Sequence, residues 1–130
     1  MSVHPPSSIH QTDAPGEYWF AEGCFILECL NHPAEPAVSV ARARVLPGST
    51  TRWHRLHGIT ERYVIQAGHG TVEVQDLPPT RVGPGAVVII APGAAQRIHN
   101  EGSEDLIFLA VCTPRFVPDC YESVDGPGRA

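Results

Sequence analysis

Proline and glycine interrupt this chain at short intervals, and this limits the structures that it can form. The sequence has 13 Pro and 12 Gly, and no long stretch keeps the 3.6-residue period of an amphipathic helix. The pieces between these residues are short and rich in Val, Ile, Phe, Tyr and Thr. Short strands separated by turn residues are typical of an antiparallel sandwich or barrel. We therefore expect an all-β fold.

The length of 130 residues fits one domain with one core. We expect a barrel at residues 16–122, with a flexible leader at 1–15 and a flexible tail at 123–130, because both ends are polar and rich in Gly or Pro. Gly68-His69-Gly70 predicts a tight hairpin, and residues 113–121 form either a short helix or a segment along the barrel. The predicted strands are 17–20, 24–30, 38–45, 50–56, 61–67, 70–74, 81–82, 86–90, 96–100 and 106–112.

Charge and cysteine content narrow the classes of partner and compartment. The net charge is −5 and the pI about 5.7, with no basic stripe, which argues against nucleic acid and anionic membranes as partners. The longest apolar runs are too short to span a bilayer, and the N-terminus lacks the features of a secretory signal. We therefore expect a cytoplasmic protein. In this reducing compartment the four irregularly spaced cysteines predict buried free thiols, and a disulfide is the alternative only if the chain is exported. Edge strands near the N-terminus favour a homodimer.

Two neighbouring strands carry the residues with the clearest chemical potential. Alternation places Arg52 and His54 on one face of the strand 50–56, while Glu61 and Tyr63 share a face of the next strand. An imidazole and a carboxylate on adjacent strands can meet inside a barrel. Nitrogen and carboxylate donors suit a divalent transition metal such as Fe, Mn, Ni or Zn. The pair is either such a centre or a buried hydrogen-bonded pair that only stabilises the barrel.

The spacing of these residues resembles the two sequence motifs of the cupin superfamily. The first motif has Gly, His-x-His, Glu and Gly, and the second has Gly, Pro-x-Gly, His and Asn. The resemblance covers about residues 38–112 and implies a double-stranded β-helix, or jelly-roll, barrel with a divalent metal inside it. The matching residues are Gly48, His54, Glu61 and Gly68 in the first motif, and Gly85, Gly93 and Asn100 in the second, where Ala91 stands in place of the motif proline before Pro92-Gly93.

Two of the four family ligand positions depart from the cupin motifs. Leu56 stands at the second histidine of the first motif, and Gln96 replaces the histidine of the second. His57, one residue beyond the first of these positions, is either a substitute ligand or a loop residue facing solvent. Gln96 offers either an amide oxygen to the metal or a hydrogen bond to Glu61 or His54. The predicted metal ligands are therefore His54, His57, Glu61 and Gln96.

Longer segments resemble a narrower group of small stand-alone cupins of uncharacterised function. In that group His-Arg-Leu precedes Glu-Arg-Tyr, a Gln-Arg-Ile run replaces the histidine, and Cys-Thr-Pro-Arg-Phe ends the barrel. This chain has His54-Arg55-Leu56, Gln96-Arg97-Ile98 and a Cys-Thr-Pro-Arg-Phe run from Cys112. The resemblance implies that the Leu and Gln replacements belong to a group pattern, and it supplies no substrate.

Three functions are consistent with this pattern. The first is a metal-dependent enzyme of dioxygenase, isomerase or lyase type acting on a small organic acid or related metabolite, with Glu61 or Tyr63 assisting proton transfer. The second is a metal-free binding or sensor barrel in which Arg52, Tyr63 and Gln96 contact a small ligand. The third is a structural barrel whose site has decayed. Fold alone does not separate them.

Overall fold

The computed structural model describes residues 4–128. Within them, eleven β-strands and two short 3-10 helices, Ala14–Gly16 and Pro118–Cys120, form the secondary structure. No helix in this part of the chain is long and apolar enough to cross a membrane. The strands are β1 (Tyr18–Phe20), β2 (Cys24–Leu30), β3 (Ser39–Val45), β4 (His54–Leu56), β5 (Thr60–Ala67), β6 (Gly70–Val74), β7 (Thr80–Val82), β8 (Val87–Ile90), β9 (Gln96–Asn100), β10 (Leu106–Thr113) and β11 (Tyr121–Ser123).

The strands form two antiparallel sheets. One sheet has six strands in the order β1-β2-β3-β10-β5-β8, and the other has five in the order β11-β4-β9-β6-β7. Strands that follow each other in sequence therefore often lie in different sheets, as in a jelly roll. This arrangement confirms the prediction of an all-β, double-stranded β-helix barrel.

The hairpin predicted at Gly68-His69-Gly70 is wrong. β5 ends at Ala67 in the six-stranded sheet and β6 begins at Gly70 in the five-stranded sheet, so the two strands do not pair. The segment instead turns the chain from one sheet to the other. Gly68 has φ +78°, and a Cβ there would lie 2.6 Å from the backbone oxygen of Asp105, so this corner requires glycine.

The strand predicted at 50–56 is too long at its start. β4 begins only at His54, because the preceding backbone bonds to two different parts of the chain. The amide of Thr51 donates to the carbonyl of Ile98, and the amide of Arg52 donates to the carbonyl of Glu22. Alternation therefore does not extend to Arg52, whose side chain is exposed.

The C-terminal segment forms contacts beyond residue 122, where the predicted barrel ends. Pro118–Cys120 is a short helix, one of the two forms expected for the segment 113–121. β11 then pairs with β4 and extends to Ser123, the first residue of the predicted tail. The amide of Val124 also donates to the carbonyl of Trp53. Of the predicted leader and tail, residues 1–3 and 129–130 lie outside the described residues.

The core fills one part of the space between the sheets and leaves another part open. Phe108, Ile65 and Ile98 are among the largest fully buried side chains. On the inner face of β3 and β10, Ala110 pairs with Ala41, and Ala43 also lines the space between the sheets. These alanines leave a space next to His54 and Glu61 that larger side chains would fill. The four cysteines are free thiols, as predicted.

Candidate functional site

The open space between the sheets is a cavity of about 90 Å³. Aromatic and aliphatic side chains form most of its wall, together with a small set of ionisable groups. Cavities of this kind, apolar with a few convergent polar groups, are the usual binding sites of small molecules. The lining residues are Tyr18, Phe20, Glu22, Ile26, Glu28, Ser39, Ala41, Ala43, His54, Leu56, Glu61, Tyr63, Phe108, Ala110, Cys112, Phe116 and Tyr121.

His54 is held in one orientation by contacts on both ring nitrogens. β4 directs the side chain inward, where it is 2% exposed. Its Nδ1 lies 2.8 Å from the carbonyl oxygen of Arg52, which can only accept, so Nδ1 carries a proton. Its Nε2 lies 3.1 Å from Oε1 of Glu22. The ring of Tyr121 stacks on the imidazole with 5.2 Å between centroids and 14° between planes.

The contact between Glu22 and His54 needs a proton, which comes from one of the two groups. Burial raises the pKa of Glu22 to about 7, while the thiol of Cys24 acts in the opposite direction. Burial also lowers the pKa of His54, against a smaller opposing effect of the Arg52 carbonyl and of Glu61. Both shifts place the proton on Glu22, which then donates to Nε2 of a neutral imidazole.

Glu61 is the second buried carboxyl of the cavity, with 8% of the residue exposed. Its Oε1 accepts a hydrogen bond of 2.7 Å from the amide nitrogen of Gln96, and its Oε2 faces the thiol of Cys112 at 3.9 Å. Burial raises the pKa of Glu61 to about 7, with His54 lowering it and Glu22 raising it. The negative charge of Glu22 thus adds to the effect of burial on Glu61.

Gln96 and Tyr63 form a hydrogen-bonded chain that ends on Glu61. The Tyr63 hydroxyl donates to Oε1 of Gln96, and the Gln96 amide nitrogen donates to Glu61. Burial raises the pKa of Tyr63 well above its usual value, so the hydroxyl keeps its proton. Gln96 therefore has the hydrogen-bonding role that the sequence left open, and its amide oxygen is already used by Tyr63.

His57 and Arg52 do not join this group. The His57 side chain is 57% exposed, and its Nε2 lies 2.8 Å from Oε1 of Glu122 on the surface. Arg52 is exposed and is absent from the cavity wall, although its backbone binds both Glu22 and His54. The structure thus brings together four of the predicted site residues, His54, Glu61, Tyr63 and Gln96.

The predicted metal ligands do not fit a single ion in this arrangement. His57 lies outside the cavity and the oxygen of Gln96 accepts from Tyr63. Among residues 4–128, no group of three or more His, Cys, Asp and Glu side chains is arranged to hold a metal ion. Glu22, His54 and Glu61 nevertheless supply two carboxylates and one imidazole, which are donors of the type that divalent transition metals bind.

Glu22 is the functional residue that the sequence did not indicate. It lies in the turn between β1 and β2, directly before Gly23, whose φ is +107°. A Glu-Gly pair in a turn is typical of a solvated surface loop. Only 11% of the Glu22 side chain is exposed, however, because the Arg52 amide binds its carbonyl and brings the turn over the cavity. No spacing rule links this turn to the motif residues.

Comparison with known families identifies the chain. Residues 41–112, more than half of its length, match the family model of the cupin domain. The chain belongs to the cupin family. No curated protein matches the sequence of this cupin.

Solved structures share the barrel of this cupin at low sequence identity. An uncharacterised conserved protein from Klebsiella pneumoniae with a double-stranded β-helix domain has 16% identity and a TM-score of 0.71, over 86% of this chain and 93% of that one. Streptomyces Pac13, described as a nucleoside dehydratase, has 11% identity and a TM-score of 0.74, over 93% and 95%. Oxalate decarboxylase from Lactobacillus farciminis has 23% identity and a TM-score of 0.71 over 83% of this cupin, which spans 33% of that chain. These likenesses concern the fold.

Proposed function

We propose that this cupin is an enzyme that binds a small molecule in the barrel cavity and transfers protons to and from it. The observation that carries the proposal is the buried contact between Glu22 and His54, which lies beside Glu61 on the wall of the cavity. Burying an ionisable group costs free energy, so several ionisable groups in one cavity indicate a functional role.

The two carboxyls have the properties that general acid–base catalysis requires. A group whose pKa lies near 7 gives and takes protons with equal ease at neutral pH, and burial raises the pKa of both Glu22 and Glu61 to about 7. When one carboxyl is ionised and the other protonated, the first removes a proton from the ligand. The second returns a proton to the leaving or receiving atom. Elimination of water and isomerisation are the reactions that this pair fits best.

The other residues of the site position the two acids. The carbonyl of Arg52 holds the His54 ring so that Nε2 faces Glu22. Tyr63 and Gln96 orient Glu61, because its Oε1 accepts from the amide that Tyr63 fixes. Pac13, a nucleoside dehydratase with the same fold, supports the view that a cupin barrel accommodates elimination chemistry, although its 11% identity carries no residue across.

A divalent metal centre is a second candidate, favoured by the orientation of His54. A metal-binding histidine usually donates its other ring N–H to a carbonyl or carboxylate, as Nδ1 of His54 does to Arg52. No three such side chains among residues 4–128 are already arranged around an ion, so Glu22, His54 and Glu61 would have to change position to hold Fe, Mn, Ni or Zn. Such an ion would act as a Lewis acid on the ligand.

Hydrogen exchange into bound compounds tests the enzymatic proposal. Small hydroxylated and carbonyl compounds are incubated with chelator-treated protein in D₂O, and deuterium bound to carbon is measured by mass spectrometry. We expect exchange with the unmodified protein and a loss of about tenfold or more in Glu22→Gln and Glu61→Gln, with Glu104→Gln, an exposed site, as the control. Binding without exchange would contradict the enzyme and favour a sensor. Exchange that returns only with added metal would favour the second candidate.

We also propose that this cupin is a cytoplasmic homodimer. The four free thiols are compatible with a reducing compartment. β8 is an edge strand of the six-stranded sheet, and its Val87 and Ile89 are 58% and 64% exposed. Apolar residues on an edge strand favour pairing with a second copy. Light scattering of the purified protein tests this part, and a monomer mass would contradict it.

A further inference from the structure

The cavity of this cupin is lined by acids without basic side chains to balance them. Glu22, Glu28 and Glu61 all contribute to its wall. No arginine among residues 4–128 lines the cavity, and the sequence contains no lysine. The single basic group in the wall is His54, whose burial lowers its pKa and favours the neutral ring. An anionic ligand would therefore meet no counter-charge, and a like charge at each carboxyl that is ionised.

Six aromatic rings form much of the remaining wall. The face of an aromatic ring carries a partial negative charge and attracts cations. Phe20 and Tyr121 pack edge to face with 5.4 Å between centroids, and Tyr63 and Phe108 lie 4.3 Å apart. An apolar body with a positive charge would match both the rings and the carboxyls. The six residues are Tyr18, Phe20, Tyr63, Phe108, Phe116 and Tyr121.

The buried carboxyls keep oxygens that a stronger donor can use. Oε2 of Glu22 faces the thiol of Cys24 at 3.5 Å, and Oε2 of Glu61 faces the thiol of Cys112 at 3.9 Å. Thiols are weak donors, and these distances are long. An ammonium group has three donors and a full charge, so it would form much stronger hydrogen bonds with the same oxygens.

We propose that the ligand of this cavity is a small organic cation, an amine with an apolar body whose ammonium group binds Glu22 and Glu61. This inference rests on the proposed small-molecule function and names the ligand class. It departs from the small organic acid that the sequence suggested, because Arg52 lies outside the cavity wall. Glu28 at the wall, held by the Tyr18 hydroxyl at 3.1 Å, adds negative charge near the more exposed side.

Three probes that differ in charge test the ligand class. Benzylamine, benzyl alcohol and benzoate share one ring and are compared by calorimetry with the full, chelator-treated chain at pH 8, above the pKa of about 7 of both carboxyls. We expect benzylamine to bind about tenfold more tightly than benzyl alcohol, and benzoate to show no binding. Glu22→Gln and Glu61→Gln should each remove most of the preference for benzylamine over benzyl alcohol, while Glu104→Gln should leave this preference intact.

The outcomes separate the ligand class from the proposed function. Equal or tighter binding of benzyl alcohol or benzoate would overturn the amine and leave the small-molecule function standing. A benzylamine preference that survives both substitutions would place the amine elsewhere and also overturn the inference. Failure of all three probes to bind would count against the small-molecule function itself. Thermal unfolding of each variant shows that it is folded before binding is compared.

Discussion

Nε2 of His54 lies 3.1 Å from Oε1 of Glu22, a distance at which one proton on either group forms a hydrogen bond between them. The imidazole comes from β4 and the carboxyl from the turn before β2, so the contact exists only in the folded barrel. Because Nδ1 already donates to the Arg52 carbonyl, the proton of this contact belongs to Glu22 at neutral pH. With Glu61 beside it, the cavity has two buried carboxyls whose pKa is raised to about 7.

The ionisation of Glu61 should lower the free energy of unfolding as the pH rises. Its pKa in the folded protein is about 7, above the ordinary 4.5, so the folded state binds the proton more tightly than the unfolded state. The stabilisation is complete below pH 4.5 and is lost as pH rises through about 7. Glu61→Gln should therefore come closest to the unmodified protein below pH 4.5 and exceed its free energy of unfolding by about 1–3 kcal/mol at pH 8. Urea unfolding measures both, and equal pH dependence in the two proteins would contradict the raised pKa.

His54 should remain neutral, with its proton on Nδ1, at pH 7 and above. Burial lowers its pKa, and the Arg52 carbonyl fixes the tautomer. Nitrogen-15 NMR of the imidazole reports protonation and tautomer directly. Glu22→Gln, whose amide N–H replaces the acid proton toward Nε2, should leave the spectrum unchanged. A charged imidazole at pH 7, or a proton on Nε2, would show that the proton of the pair belongs to His54.

Removing the Tyr63 hydroxyl should leave the side-chain amide of Gln96 without a fixed orientation. Tyr63→Phe leaves the buried amide oxygen of Gln96 without its donor, which should cost about 1–3 kcal/mol of unfolding free energy. The rate of proton exchange into bound compounds should also fall, because Gln96 no longer orients Glu61. In a double-mutant cycle, Tyr63→Phe combined with Gln96→Ala should cost less than the sum of the two single substitutions, because both remove the same hydrogen bond. Additive effects of the two substitutions would mean that Tyr63 and Gln96 act independently.

Restoring the family histidines should create a metal site. Leu56 and Gln96 stand at the two positions where cupin motifs have histidine, and both residues are buried beside His54. The double substitution Leu56→His with Gln96→His would supply three imidazoles and Glu61. We expect Zn²⁺ or Ni²⁺ to bind about tenfold more tightly or better than to the unmodified protein, at one ion per chain. Elemental analysis and calorimetry measure this, and equal affinities would show that the lost histidines are not what limits metal binding.

Most strands could be predicted from the sequence because their signals are local. β2, β6 and β9 have the predicted bounds, since alternation and flanking turn residues define them. β4 was predicted too long because residues before His54 bond to two distant backbone groups. The corner at Gly68 was misread as a hairpin because a glycine turn has the same sequence signal whether it joins strands of one sheet or of two.

The site was predictable where the motif and the strand period agree. His54 and Glu61 lie inside β4 and β5, and both point into the barrel. His57 comes directly after Leu56, the last residue of β4. Because side chains alternate along a strand, His57 points away from the barrel interior and faces solvent. Glu22 had no signal at all, since a tertiary hydrogen bond to Arg52 brings its turn to the cavity. Long-range contacts of this kind leave no pattern in one sequence.

Infrared spectroscopy of the buried carboxyls tests the central claim most directly. A protonated carboxylic acid has a carbonyl band that is distinct from the bands of a carboxylate and an amide. At pH 6, below the pKa of about 7 of Glu22 and Glu61, the chelator-treated protein should show this band. Glu22→Gln and Glu61→Gln should each remove part of it, and Glu104→Gln should leave it intact. A spectrum without the band at pH 6, or one unaffected by both substitutions, would contradict the account of this cupin as a proton-transfer barrel.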